Sequence, residues 1–320
     1  MINQYNMDYV FGREHRKVYM GLAMLWIIGY HFYLVQAEFI DAHLFPFKLL
    51  LRNGFIGVDV FFILSAYGLC CSWERSSVCE FYKKRFLRII PLYIVFLLLC
   101  KVILRANHVL SDGLLQMSSL SVLNTPLTRT KGMGGEWFVP AIINLYIIFP
   151  LLFMAIRWMK NHFPKYGLYI VVTMAILISG GAISYVSPNY IMRLPIIVAG
   201  IIAYLCVKQN DKKQLLGVFV YMAMFYLVIE RKNIMLSVVL PLILFGLNEL
   251  KFTINQKWIH FVGGISFELY LSHIIPMNFA RQNNVLLSLE IMICGTVVLC
   301  LLYHGINRFI LTKKYGVKKR

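Results

Sequence analysis

Acidic side chains are scarce in this chain: 14 Asp and Glu stand against 32 Lys and Arg, a formal net charge of +18. Charge of either sign is also scarce, at 14% of residues, where a soluble domain carries about 25%. That deficit excludes an ordinary soluble enzyme and a disordered tail. Seven cysteines are present, but none shows a CxxC spacing or a His at metal-ligand distance. Neither a zinc site nor a disulfide framework is expected, and the cysteines read as small buried apolar residues. There is no GxSxG elbow, HExxH, Walker A or Rossmann glycine pattern. There is no internal repeat, heptad tract or Gly/Ser linker, and no small-residue cleavage site follows the first apolar run.

What the chain has instead is apolar sequence. Of its 320 residues 59% are hydrophobic, and the mean hydropathy is +0.69. In so apolar a chain a basic excess marks loops at an anionic leaflet rather than a DNA footprint. Membrane lipids are expected partners and nucleic acid is not. A spanning helix needs about 20 mostly apolar residues. Runs of that kind fall near 18–37, 54–72, 89–106, 137–157, 167–186, 191–207, 215–229, 234–248, 259–278 and 286–310. The runs are continuous rather than alternating, which argues against a β-barrel. The expected fold is an all-α membrane protein, a bundle of about ten transmembrane helices. Residues 1–320 are read as a single integral-membrane domain with no fused extracytoplasmic domain.

Orientation follows the basic residues. With the N-terminus inside, 22 of the 32 Lys and Arg lie on that side, in stretches 13–17, 75–88, 157–165, 208–213, 251–257 and 308–320. Both termini are therefore expected to be cytoplasmic. The basic stretch 74–90 falls inside. The stretch 107–136 falls outside, with LLQMSSLSVL as a candidate interfacial helix.

An ionisable group inside a bilayer is costly, so each is a functional candidate. His31 sits deep in WIIGYHF, with Glu38 seven residues on, on nearly the same helical face, and Asp41 near the outer mouth. The three suit a proton acceptor with an acid further out; a packing hydrogen bond to another helix is the plainer use of the His. Asp59, in GFIGVDVFFILSAYG, needs a cationic partner, from Arg52 or from another helix, and Gly54 and Gly57 permit close helix contact. In FYKKRFLRIIP, Arg85 and Arg88 are one turn apart on one face, beside Lys83 and Lys84. Two guanidinium forks there suit a polyphosphate ligand, and positive-inside anchoring is the alternative. A glycine-rich loop, Gly132, Gly134 and Gly135, leads into Glu136 and Trp137. The Trp fits an interfacial belt and the Glu a helix N-terminus. In ISFELYLSH, Ser266, Tyr270 and His273 share one face while Glu268 points elsewhere.

Taken in order, these segments resemble the acyltransferase 3 family of integral-membrane acyltransferases. The first helix, with Ala23 and then His31, resembles the family's opening helix. GFIGVDVFFILSAY resembles its Gly-Val-Asp-x-Phe-Phe segment. The Phe81–Pro91 stretch resembles its Arg-x-x-Arg…Pro segment, and WFVPAIINLY with Pro150 its Trp-Phe…Tyr…Pro helix. Arg193 through Pro195 to Gly200, and ISFELYLSH, resemble the late segments. The resemblance implies a cytoplasmic acyl-CoA donor, usually acetyl-CoA, and an acceptor hydroxyl on a surface polysaccharide or lipid-linked glycan. It implies His31 as the catalytic histidine and Arg85 and Arg88 as donor-binding residues; Lys84 beside them is expected to join the donor site, and no metal is expected. Polysaccharide-assembly proteins are conceivable partners. The sequence departs from the family where an Arg eleven residues before the His is replaced by Met20, with Arg16 and Lys17 one turn earlier as substitutes. Ala66 stands where a Gly is usual. A transporter of lipid-linked sugar and a non-catalytic assembly partner are the rival readings, although no repeated half or paired broken helices support transport.

The orientation has a direct consequence. A single cysteine placed at Ser119 in an otherwise cysteine-free chain should react with an impermeant thiol reagent in intact cells. Labelling only after lysis would reverse the orientation.

Overall fold

The computed structural model of the protein describes residues 11–44, 46–105, 108–117, 137–181, 193–229, 235–250, 257–281 and 283–315. Among the described residues every regular element is helical. In chain order these are α1 (Arg13–Val35), α2 (Ala37–His43), α3 (Phe47–Arg52), α4 (Ile56–Trp73), α5 (Val78–Ile103), α6 (Val109–Met117), α7 (Phe138–His162) and α8 (Gly167–Gly181). They continue as α9 (Leu194–Lys208), α10 (Lys212–Ile229), α11 (Met235–Glu249), α12 (Lys257–Gly264), α13 (Ser266–Ser272), α14 (Ile274–Ala280) and α15 (Val285–Tyr315).

Five segments among the described residues are long and apolar enough to cross a bilayer: His15–Val35, Ile56–Trp73, Val78–Ile103, Phe138–His162 and Val285–Ile310. Gly167–Ser179, Leu194–Lys208 and Val239–Glu249 are shorter apolar helices. The all-α, multi-pass class expected from composition is what the chain adopts. In lipid only a helix satisfies its own backbone groups, so continuous apolar runs can fold in no other way.

Three local expectations are corrected. The run 18–37 does not continue to Glu38: α1 ends at Val35, Gln36 takes φ −125° and ψ 32°, and α2 starts afresh at Ala37. The Gln36 amide donates to the Asn283 carbonyl (2.9 Å) and the Ser288 hydroxyl (2.7 Å), tying this corner to the start of α15. The basic stretch 74–90 is mostly helix, since α5 begins at Val78 rather than at 89, capped by Ser77, whose hydroxyl accepts from the Glu80 N–H. The run 259–278 is not one helix but three. Pro276 has no N–H for the Ser272 carbonyl and its ring crowds that carbonyl, so the helix divides at His273. The other division, at Ile265, follows the pair Gly263–Gly264, whose helix propensity is low.

α1 is the hub. Its N-terminal half lies against α12 so closely that a Cβ on Gly263 would overlap the Lys17 carbonyl oxygen, and one on Gly21 the Ile259 carbonyl oxygen. Gly57 of α4 meets the Ala23 carbonyl in the same manner, as its place in the sequence suggested. At the end of the bundle that holds the start of α1, Glu74 joins three helices. Its carboxylate pairs with Lys208, accepts from the Tyr204 hydroxyl (2.5 Å) and faces Arg157 at 3.7 Å. Burial alone would raise this carboxyl, but the Lys208 and Tyr204 hydrogen bonds and the Lys208 and Arg157 charges hold it below its ordinary value.

Gly263→Ala should lower the apparent Tm of the detergent-solubilised protein, because overpacking a close contact costs ~1–3 kcal/mol. Gly246→Ala, within a helix where a Cβ meets nothing within 4 Å, should not lower Tm and should raise it slightly, since alanine is the better helix former. Equal Tm values for the two variants would remove the α1–α12 contact from the account of stability.

Candidate functional site

A cavity of about 300 Å³ runs into the bundle from the end that carries the basic residues. Arg16 and Lys17 of α1 and Arg85 and Arg88 of α5 line it, and no acidic residue does so among the described residues. Deeper in, the wall is apolar, formed by Ile27, Val58, Phe61, Phe138 and Ile142, with Ser65, Ser266 and Tyr270 as its polar groups. The RxxR spacing puts Arg85 and Arg88 on one helical face, and the cavity lies under that face. Arg88 is exposed and Arg85 half-buried.

The Arg85 guanidinium is held by aromatic faces, 5.7 Å from the Phe81 ring centroid and 6.0 Å from that of Tyr146. Its Nε is buried with no hydrogen-bond partner among the described residues. A buried donor of this kind is a cost unless something accepts from it. Arg16 reaches the same space because Gly68 leaves room: a Cβ there would stand 2.6 Å from an Arg16 guanidinium nitrogen. Lys17 and Arg16, one turn before Met20, thus line the space with the α5 arginines. Lys84 does not: it is exposed and pairs with Glu80 at 2.5 Å.

Beyond the cavity lies a pair of imidazoles. His31 Nδ1 and His273 Nε2 are 2.9 Å apart, with ring centroids at 4.7 Å. His31 is half-buried and His273 is 0% exposed. Neither ring lines the cavity itself. Ile27, at its end, is one turn from His31, a rise of ~6 Å. The Tyr270 ring, also at that end, is 5.5 Å from His273 and 4.9 Å from Phe138. Ser266, Tyr270 and His273 therefore face inward together, as their 4 and 3 spacing indicated, although the helix breaks at His273. Glu268 points away and accepts from the Asn307 amide at 2.6 Å.

The acids near His31 sit elsewhere. Glu38 is exposed on α2. Asp41, also exposed, accepts from the Tyr33 hydroxyl at 3.3 Å. The ring bonded to His31 is that of His273, a pairing which the spacing within either helix does not reveal.

Asp59, 2% exposed, has its cation from another segment: Arg193 Nε is 3.1 Å from Oδ1, with the N–H off line, so this is an ion pair rather than a hydrogen bond. Arg193 stands just before α9 and also lies 5.1 Å from the Trp137 ring. Arg193 as the partner, rather than the alternative Arg52, was missed in the sequence, where only a generic need for a cation was legible. Glu136 and the three glycines before it lie outside the described residues. All seven cysteines are free thiols.

A helical bundle of the membrane with a basic-mouthed internal cavity and a buried imidazole pair is the class of protein that this fold and site define. Residues 21–305 match the acyltransferase 3 family, described as an acyltransferase domain, and the chain belongs to that family. Among curated proteins, peptidoglycan O-acetyltransferase OatA of Listeria monocytogenes is 26% identical over 180 residues. That alignment takes in 49% of this chain and 26% of the relative, so the chain matches about a quarter of the relative's length. No solved structure matches the chain.

Asp59→Asn should lower stability by ~3 kcal/mol or more, since it leaves a largely buried guanidinium without its carboxylate. Asp59→Asn combined with Arg193→Gln should recover part of the loss. Thermal unfolding of the two single variants and the double variant measures the coupling. Simple additivity of the losses would show that the pair contributes nothing.

Proposed function

We propose that the chain is an acyl-CoA-dependent O-acyltransferase of a bacterial cell membrane. It moves an acyl group, most simply acetyl, from cytoplasmic acyl-CoA to a hydroxyl of a surface polysaccharide or lipid-linked glycan. The observation that carries this reading is the cavity: four cations and, among the described residues, no acid line it at one end, and its apolar opposite end lies one helical turn from His31. Polyanionic CoA fits the first and an acyl thioester the second. Arg85, whose buried Nε has no partner among the described residues, and Arg88 bind donor phosphates, with Arg16 and Lys17 in place of the cation missing at Met20.

In this reading the bundle has about ten crossings with both termini on the donor side, and the acceptor enters from the other side. His31 takes the proton of the acceptor hydroxyl as its oxygen attacks the thioester carbonyl. A C–O bond forms and the C–S bond breaks. The CoA thiolate leaves and recovers the proton from the imidazolium. Asp59, Arg193 and Trp137 lie on the acceptor side of this arrangement.

Purified full-length protein with radiolabelled acetyl-CoA and a surface glycan, soluble peptidoglycan fragments among the acceptors tried, should transfer label. His31→Ala should abolish transfer while acetyl-CoA still binds. Arg85→Ala and Arg88→Ala should each weaken acetyl-CoA binding by roughly 10- to 150-fold, the worth of one charge-assisted contact. Arg→Lys should recover only part of this, because an ammonium cannot grip bidentately. Glycan movement without CoA release, or Lys variants equal to wild type, would overturn the donor site.

A further inference from the structure

The hydrogen bonds around His273, with the Ile27 backbone carbonyl one turn back on α1, determine which nitrogen of His31 is the basic one. His273 Nδ1 is 3.2 Å from the Leu269 carbonyl oxygen, one turn back on α13. A carbonyl only accepts, so His273 Nδ1 carries the proton in that bond. In a neutral ring the other nitrogen, Nε2, is then bare and accepts. A second proton on His273 would bury a charge on a residue with 0% exposure, directly beside another imidazole. The atom 2.9 Å from that bare Nε2 is His31 Nδ1, which must therefore be the donor.

We propose that His273 is the positioning residue of the acyl transfer: it holds His31 as the Nδ1–H tautomer, so that His31 Nε2 carries the lone pair that meets the substrate. The series runs Leu269 C=O, H–Nδ1 of His273 and its Nε2, then H–Nδ1 of His31 and its Nε2. Each link donates toward Leu269, and each member is neutral at rest. A serine hydrolase uses a buried carboxylate to orient its base. Here a neutral imidazole, itself oriented by a backbone carbonyl, does so without burying a charge in a low-dielectric bundle. When His31 accepts a proton, its Nδ1–H becomes a charged donor, and the bond to His273 strengthens at the step where it is needed.

The helix break supports the assignment. His273 follows α13 and precedes α14, with Pro276 on its far side. Its N–H still bonds the Leu269 carbonyl oxygen at 3.2 Å, so one carbonyl receives both the backbone and the ring N–H. The kink therefore leaves the ring anchored to its own turn. Asp41 and Glu38, the acids that sequence order puts after His31, have no part in the series.

The geometry stands apart from the acyl-transfer reading, but its consequence for turnover rests on that reading, and the test separates the two. Full-length protein in lipid nanodiscs is compared as wild type, His273→Phe and His273→Gln. Phe fills the buried space without an acceptor; Gln presents an amide oxygen that accepts but does not titrate. With acetyl-CoA and soluble peptidoglycan fragments, His273→Phe should lower kcat by roughly 10- to 150-fold with acetyl-CoA affinity unchanged. His273→Gln should keep most of kcat. If Phe and Gln both keep it, or both lose it, the acceptor role is wrong. Independently of turnover, ¹⁵N spectra of histidine-labelled protein, with His31→Ala as the assignment control, should show His31 protonated at Nδ1 and bare at Nε2 in the wild type and in His273→Gln, and a mixture of tautomers in His273→Phe, where the Ile27 carbonyl alone remains. An unchanged Nδ1–H form in His273→Phe takes the positioning role from His273. A His31 protonated at Nε2 overturns the proposal. The Nδ1–H form in a protein that never turns over acetyl-CoA sinks the functional reading and leaves this one standing.

Discussion

The contact between α1 and the Gly263 segment is the one on which the site depends. Two glycines let backbone lie on backbone, with Gly263 against the Lys17 carbonyl and Gly21 against that of Ile259. The same register carries α13 and α14 along the second half of α1, and His273 arrives beside His31. Within a bilayer there is little hydrophobic drive to bring helices together, so close van der Waals contact at small residues has to supply it. A side chain at Gly263 would separate the two helices at their crossing and with them the two imidazoles.

Around that contact the polar groups are economically placed. Asp59 has Arg193, Glu74 has Lys208 and Tyr204, and Glu268 has Asn307. Asp59 and Glu268, the buried acids among the described residues, are both matched, as a medium without water requires, and Glu74 is matched at the exposed end of the bundle. The cavity differs in its lining: cations line it and no acid does among the described residues. A concave site lined by the cations of four side chains, with an apolar wall beyond them, is the asymmetry from which the donor site is proposed. Family membership rests on the sequence match over residues 21–305, and the cavity is where the proposed chemistry would be housed.

Much of this was legible beforehand where it depended on one helix alone. The RxxR spacing puts Arg85 and Arg88 on one face because 3.6 residues make a turn, and the cavity lies along that face. Ser266, Tyr270 and His273 share a face for the same reason. Glu38 shows where such reasoning fails: its place seven residues after His31 counts only if the helix continues, and Gln36 ends it by bonding to residues near 283–288. Pro276 lies inside the run 259–278 as a helix breaker, and the structure divides the run three residues before it.

By itself the sequence determined the class of fold, the depth of His31 and the basic face of α5, since hydropathy and helical period are local properties of the chain. Which helices meet was decided only in three dimensions. The partnership of His31 with His273, 242 residues apart, and of Asp59 with Arg193 arises from packing of helices whose order in the chain says nothing of their neighbours. The same packing brings the Arg16 guanidinium into the space that Gly68 leaves open. Periodicity shows which way a side chain faces; only the crossing of two helices shows what it faces.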